Sequence, residues 1–131
     1  MTSRIEARLS SLGLELPEPM RPPPGVKLAF PWVRVFGDRA FVSGHGPLLP
    51  DGSLAGPFGK VGADVTPEQA YEAARLTGLA MLASLRSALG DLDRVTAWLR
   101  VFGMVNTAPG FTNTPSVING FSDLIVAVWG E

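Results

Sequence analysis

The chain has no cysteine and a single histidine, His45, among its 131 residues. The missing cysteine removes disulfides, thiol nucleophiles and thiolate metal sites together. One imidazole argues equally against a zinc site. Charge is sparse at 18% of residues and nearly balanced, with a net of −1. The basic residues, Arg100 among them, are scattered and form no stripe, so nucleic acid is not an expected principal partner. No apolar run is long enough to span a bilayer. The N-terminal segment Met1–Arg8 is charged and lacks a signal core, so a cytoplasmic protein is expected. With 46% hydrophobic residues the chain reads as one globular domain over 1–131 that buries a core. Residues 1–31 form its N-terminal helix and arm, and 32–131 its body.

The richest stretch is Phe41-Val42-Ser43-Gly44-His45-Gly46-Pro47-Leu48-Leu49-Pro50-Asp51-Gly52. A short apolar strand runs into a Ser-Gly-His-Gly turn and then a Pro-Asp-Gly turn. Glycines let peptide N–H groups approach a ligand, and Ser43 and His45 bring the local side-chain chemistry. A hydrolytic triad would also need an orienting carboxylate and an oxyanion hole. Asp38, Asp51 and Asp64 are near in sequence, with nothing fixing their geometry. Ser43 therefore reads as a ligand hydrogen-bonding group or a turn cap, and His45 as a hydrogen-bonded turn histidine or a catalytic group.

The organisation around this stretch is α+β. Residues 4–12 put Ile5, Leu9 and Leu12 on one helical face, and Gly13 ends that helix. Six prolines between positions 17 and 31 make an extended connector, whose alternative reading is a PxxP ligand. Residues 32–36 and 40–43 read as strands of a hairpin turned at Gly37-Asp38-Arg39. Residues 44–66, with six glycines and three prolines, read as an ordered loop with a brief strand near Leu54. Thr66-Pro67-Glu68-Gln69 opens a helix that runs to Leu89 and stops at Gly90. Its apolar surface is wider than one face, and the N-terminal helix is the natural cover. Residues 94–102 alternate as a strand, with Trp98, Arg100 and Phe102 on a mixed face suited to a subunit interface or a ligand wall. Thr114-Pro115 opens the last helix, which buries Val117, Phe121, Leu124, Ile125 and Val128. Asn119-Gly120 inside it costs helix stability, so Asn119 is a candidate for a polar role toward a ligand or a neighbouring subunit, or simply marks a kink. Gly56-Pro57-Phe58-Gly59-Lys60-Val61-Gly62 lacks phosphate-loop spacing and reads as a loop.

Several blocks together resemble the RidA/YjgF family, also called the L-PSP endoribonuclease family. They are Val42-Ser43-Gly44, Pro50–Leu54, Lys60–Val65, Tyr71–Arg75, Leu89–Val95 and Val117–Leu124. The match is strongest to its longer subfamily with an N-terminal helix. The resemblance implies a chorismate-mutase-like layer, a mixed sheet backed by two helices. It further implies a homotrimer whose sheets form a barrel with ligand clefts between subunits. The implied activity is hydrolytic deamination of reactive enamines and imines such as 2-aminoacrylate, with neither metal nor organic cofactor. By motif position Ser43, Gly44, His45, Phe30 and Asn119 fall in that cleft. Phe30 stands where many members carry tyrosine, and His45 where glutamine is usual. In the subfamily an arginine for the substrate carboxylate and an acidic residue follow the Trp-Gly-Glu step. This sequence stops at Trp129-Gly130-Glu131, so the catalytic groups are unassigned and a longer chain is expected. Arg100 does not match the arginine motif. A ligand-binding trimer without catalysis and an endoribonuclease are the alternatives to the deaminase.

Overall fold

A computed structural model describes residues 3–130; Met1, Thr2 and Glu131 of the domain expected over 1–131 lie outside them. Helix α1 (Arg4–Ser11) is too short to persist alone. It is held from outside at both ends. The Asp93 carboxylate accepts hydrogen bonds from the Arg4 and Ile5 peptide N–H groups, each at 2.8 Å, and from the Ser3 hydroxyl at 2.9 Å. The two peptide groups are first-turn donors with no partner inside a helix, and a carboxylate also suits the positive end of the helix dipole. Near the other end, Arg8 Nε donates to the Ala127 carbonyl at 2.9 Å. Ile5 and Leu9 are buried against Leu79, Leu82, Leu85, Leu92, Leu124 and Val128, so α1 covers the long helix as expected. Leu12, expected on that face, lies just past the helix and is exposed.

Strands β1 (Val33–Phe36) and β2 (Arg39–Val42) pair antiparallel, with Val33 opposite Val42 and Phe36 opposite Arg39. The turn is therefore Gly37-Asp38 alone, one residue tighter than expected, with Gly37 at φ 61°. An isolated bridge, Leu48 to Leu54, marks the brief strand expected near Leu54.

Helix α2 (Pro67–Leu89) begins with a reciprocal cap. Thr66 Oγ1 accepts from the Gln69 peptide N–H, and Gln69 Oε1 accepts from that of Thr66. It ends at Gly90, whose φ of 81° suits glycine. Helix α3 (Thr114–Trp129) has Asn113, not Thr114, at its cap position, with no side-chain capping bond. Val117, Phe121, Leu124 and Val128 are buried along it, while Ile125 is half-buried. The two helices approach closely through glycines. A Cβ on Gly78 would lie 2.6 Å from Leu124 Cδ2, and one on Gly120 would lie 2.0 Å from the Tyr71 carbonyl oxygen. At the same crossing the Tyr71 hydroxyl donates to Asp123 Oδ2 at 2.5 Å.

The 94–102 strand is corrected. Leu92–Arg94 is a single 3-10 turn, and residues 95–102 join no ladder. Alternating side chains make a segment ready to pair, but a strand also needs a neighbouring edge. Among the described residues the sheet has two strands, β1 and β2, in place of a larger mixed sheet. The mixed face also divides. Trp98 turns onto α3, edge-on to Phe121 at 5.8 Å and to Trp129 at 5.5 Å between ring centroids. Phe102 points away and is 74% exposed.

Candidate functional site

The expected Ser-Gly-His-Gly turn is corrected: residues 43–47 run on from β2 with neither turn nor bend, and neither Gly44 nor Gly46 takes a positive φ, so the segment leaves β2 beside the start of β1. The hairpin register puts Ser43 opposite Trp32, and the Ser43 peptide N–H donates to the Trp32 carbonyl at 2.9 Å. The Ser43 hydroxyl donates to the Pro31 carbonyl at 3.0 Å. Its proton is therefore committed, and its lone pairs remain as acceptors. Among the described residues no base contacts Ser43 Oγ, so it is not arranged there as a nucleophile.

His45 is fixed at both ring nitrogens. Nδ1 lies 2.7 Å from the Ser43 carbonyl oxygen, and Nε2 lies 2.7 Å from Ser84 Oγ. A carbonyl can only accept, so Nδ1 carries the proton, and Nε2 accepts from the Ser84 hydroxyl. The Trp32 ring packs on the imidazole with centroids 5.1 Å apart, and Phe30 stands edge-on to Trp32 at 6.1 Å. Burial pushes the His45 pKa below its ordinary 6.5, partly opposed by the bond to the Ser43 carbonyl. The ring is thus neutral near pH 7 and has no free nitrogen with which to act as a base.

The segment offers backbone groups instead. Among the described residues, the peptide N–H groups of Gly44, His45 and Gly46 donate to no protein acceptor. Gly44 is exposed, and a Cβ there would meet nothing within 4 Å, so the segment is open on that side. Phe30, 52% exposed, flanks it with an apolar surface.

The structure therefore brings Phe30, Ser43, Gly44 and His45 together. Asn119 is exposed on α3, and its side chain has no hydrogen bond among the described residues. The cost of Asn119-Gly120 has its reason in Gly120, which the contact with Tyr71 requires. Arg100 is exposed on the unpaired 95–102 segment. Two shallow grooves of about 290 and 300 Å³ lie elsewhere. One runs along the N-terminal half of α2 by Glu68 and Glu72, the other between α1 and Arg86. Neither borders the segment.

Two participants escaped the sequence reading. Trp32 was available from the hairpin, since pairing 32–36 with 40–43 places it beside Ser43. Ser84 was the one polar residue within the apolar stretch Leu79–Leu85, and such a group must find a partner when buried.

Comparison with known proteins agrees with this architecture. A family model described as YjgF/chorismate mutase-like, "putative endoribonuclease", matches residues 6–131. The chain belongs to this family. It is 36% identical to Protein TCP17 of Trypanosoma cruzi, over 99% of this chain and 78% of that protein. The crystal structure of a "putative endoribonuclease" from Shewanella oneidensis superimposes with a TM-score of 0.85 at 32% identity, covering 98% of this chain and 81% of that one. A protein of unknown function from Agrobacterium tumefaciens gives 0.82 at 35% identity, covering 97% and 75%. Among the described residues, no helix is long and apolar enough to cross a membrane.

Proposed function

We propose that the Ser43–Gly46 segment, with Phe30, is one wall of a cleft that binds a small imine or its 2-oxo acid product. In this reading the protein acts as a cytoplasmic, RidA-like enamine and imine deaminase. The observation that carries it is that the peptide N–H groups of Gly44, His45 and Gly46 are unpaired beside the free lone pairs of Ser43 Oγ. Each such N–H can donate to a carboxylate or a carbonyl oxygen. Ser43 Oγ is placed to accept from an imine N–H or from a water. Attack of water on the imine carbon, followed by loss of ammonia, gives the 2-oxo acid. The contribution these residues support is orientation and hydrogen bonding. His45 supplies no proton, because both of its nitrogens are engaged.

The same fact favours a second reading, a ligand-binding protein of this fold without catalysis. The test is hydrolysis of 2-iminopropanoate generated in situ, read as ammonia released above the buffer rate. Acceleration supports the deaminase. Pyruvate binding without acceleration leaves the binder. The endoribonuclease in the family description is the weakest reading, since the net charge is −1 with no basic stripe. Failure to bind RNA at low salt removes it.

Self-association belongs to the proposal. No peptide N–H from residue 96 to 105 donates a hydrogen bond within the described chain. Leu99 and Met104 in that stretch are 76% and 86% exposed. A homotrimer that buries this stretch would meet both needs.

A further inference from the structure

We propose that Ser84 is a positioning residue for the 43–46 segment. It acts through His45 to set the direction of the peptide N–H groups that the segment presents, beginning with that of Gly44. The ligand part of this inference rests on the proposed function; the positioning part rests on geometry alone.

Ser84 sits in α2, 39 residues from His45, and is 5% exposed. A hydroxyl inside a helix ordinarily bonds back to the carbonyl four residues earlier. Thr77 of the same helix does so, donating to Ala73 at 2.8 Å. Ser84 gives its proton to His45 Nε2 instead. Among the described residues, this is the sole hydrogen bond from the Gly44–Gly46 stretch to another element. Gly44 and Gly46 have no side chains with which to anchor it. The ring passes the constraint back to the segment. With Nε2 taken by Ser84, Nδ1–H grips the Ser43 carbonyl, which belongs to the same peptide unit as the Gly44 N–H. One buried hydroxyl thereby orients that peptide plane, and Trp32 closes one face of the ring against rotation. Burial keeps Ser84 from touching a ligand, so its effect passes through His45.

Because His45 is the only histidine, its imidazole gives a single set of nitrogen resonances. The experiment compares wild type with Ser84→Ala and Ser84→Thr. Alanine is the better helix former, so Ser84→Ala is expected to fold. In wild type the long-range ¹H–¹⁵N spectrum is expected to show a neutral ring protonated at Nδ1. Relaxation order parameters for the Gly44, His45 and Gly46 amides are expected near the rigid value of about 0.85, falling toward about 0.6 in Ser84→Ala. Ser84→Thr, which keeps the hydroxyl, should restore them. Pyruvate is the ligand probe, and its Kd should rise about tenfold in Ser84→Ala, equivalent to about 1.4 kcal/mol. An Nε2-protonated ring in wild type, or unchanged order parameters in Ser84→Ala, overturns the positioning role. If pyruvate perturbs no wild-type amide, the ligand wall fails while the spectrum and relaxation still decide the positioning role. A Kd unchanged in Ser84→Ala, with the amides mobilised, overturns the claim that the orientation serves binding.

Discussion

Gly78 and Gly120 show how a single missing Cβ can act through quite different neighbours. Both lie inside helices, where replacing glycine with alanine ordinarily stabilises by about 1 kcal/mol. At Gly78 the new methyl would meet Leu124 Cδ2, the far end of a side chain that can change rotamer. At Gly120 it would meet the Tyr71 carbonyl, which can move only with the backbone of α2. Gly78→Ala should therefore stay within about 1 kcal/mol of wild type, and Gly120→Ala should lose about 3 kcal/mol. Urea denaturation checks the pair, and equal losses would mean that the helix crossing relaxes as a unit. His45 adds a pH dependence. Its folded pKa lies below 6.5, so between the two values the unfolded chain binds a proton that the folded chain does not. Its contribution is complete above pH 6.5 and is lost as pH falls through the folded pKa. Wild type should lose more stability than His45→Gln between pH 7.5 and 5, as read from urea midpoints at each pH.

At the scale of elements, α1 shows what sequence pattern can and cannot reveal. The spacing of Ile5 and Leu9 was enough to say that the segment is a helix and that it docks on α2. Its anchor was not legible, because Asp93 lies almost ninety residues away and its carboxylate caps a helix to which it does not belong. Local capping signals, as at Thr66-Pro67-Glu68-Gln69, can be read; a cap supplied from across the fold cannot. The three donors to Asp93, Ile5 and Arg4 foremost, hold its carboxyl below its ordinary 3.8. Docking of α1 by this group is thus complete above pH 3.8 and lost as pH falls through the lower folded value. Asp93→Ala at neutral pH should reproduce the acid effect, raising amide exchange at Ala7, Arg8 and Leu9 and leaving unchanged the first turns of α2, whose Ala70 packs in a separate cluster with Val61, Val65 and Val117. Uniformly faster exchange would show instead that Asp93 supports the whole core. Beneath α1, Leu82 is fully enclosed, and Leu82→Ala should cost about 2–5 kcal/mol by either thermal or urea unfolding.

For the whole molecule, the question is what completes the surface. The helical layer is finished, with α1, α2 and α3 sharing one core. The sheet side is not. Val35, Phe36 and Phe41 are exposed on the hairpin, and Leu99, Phe102 and Met104 on the stretch beyond Trp98. Alternation over 94–102 was legible because a side-chain pattern is local. Its pairing was not, because a ladder is a property of two segments and the second is not written into the first. The candidate site shares this limit: Ser43, Gly44 and His45 are contiguous and could be read together, whereas Ser84 joins them only through the docking of α2. Free peptide groups and exposed apolar side chains on one stretch favour pairing with a further strand over remaining in water. The trimer proposed above places that strand in a neighbouring copy, and for these 131 residues it predicts a mass near three times 13.9 kDa at sedimentation equilibrium. Phe102→Asp should lower that mass, because it sets a charge into the exposed strip that the proposed trimer would bury, while helical circular dichroism stays the same. A wild-type mass of 13.9 kDa at tens of micromolar would remove the trimer, and the cleft would then have to be built within one chain. If the mutant loses mass and pyruvate binding together, the second wall of the cleft comes from a neighbouring copy.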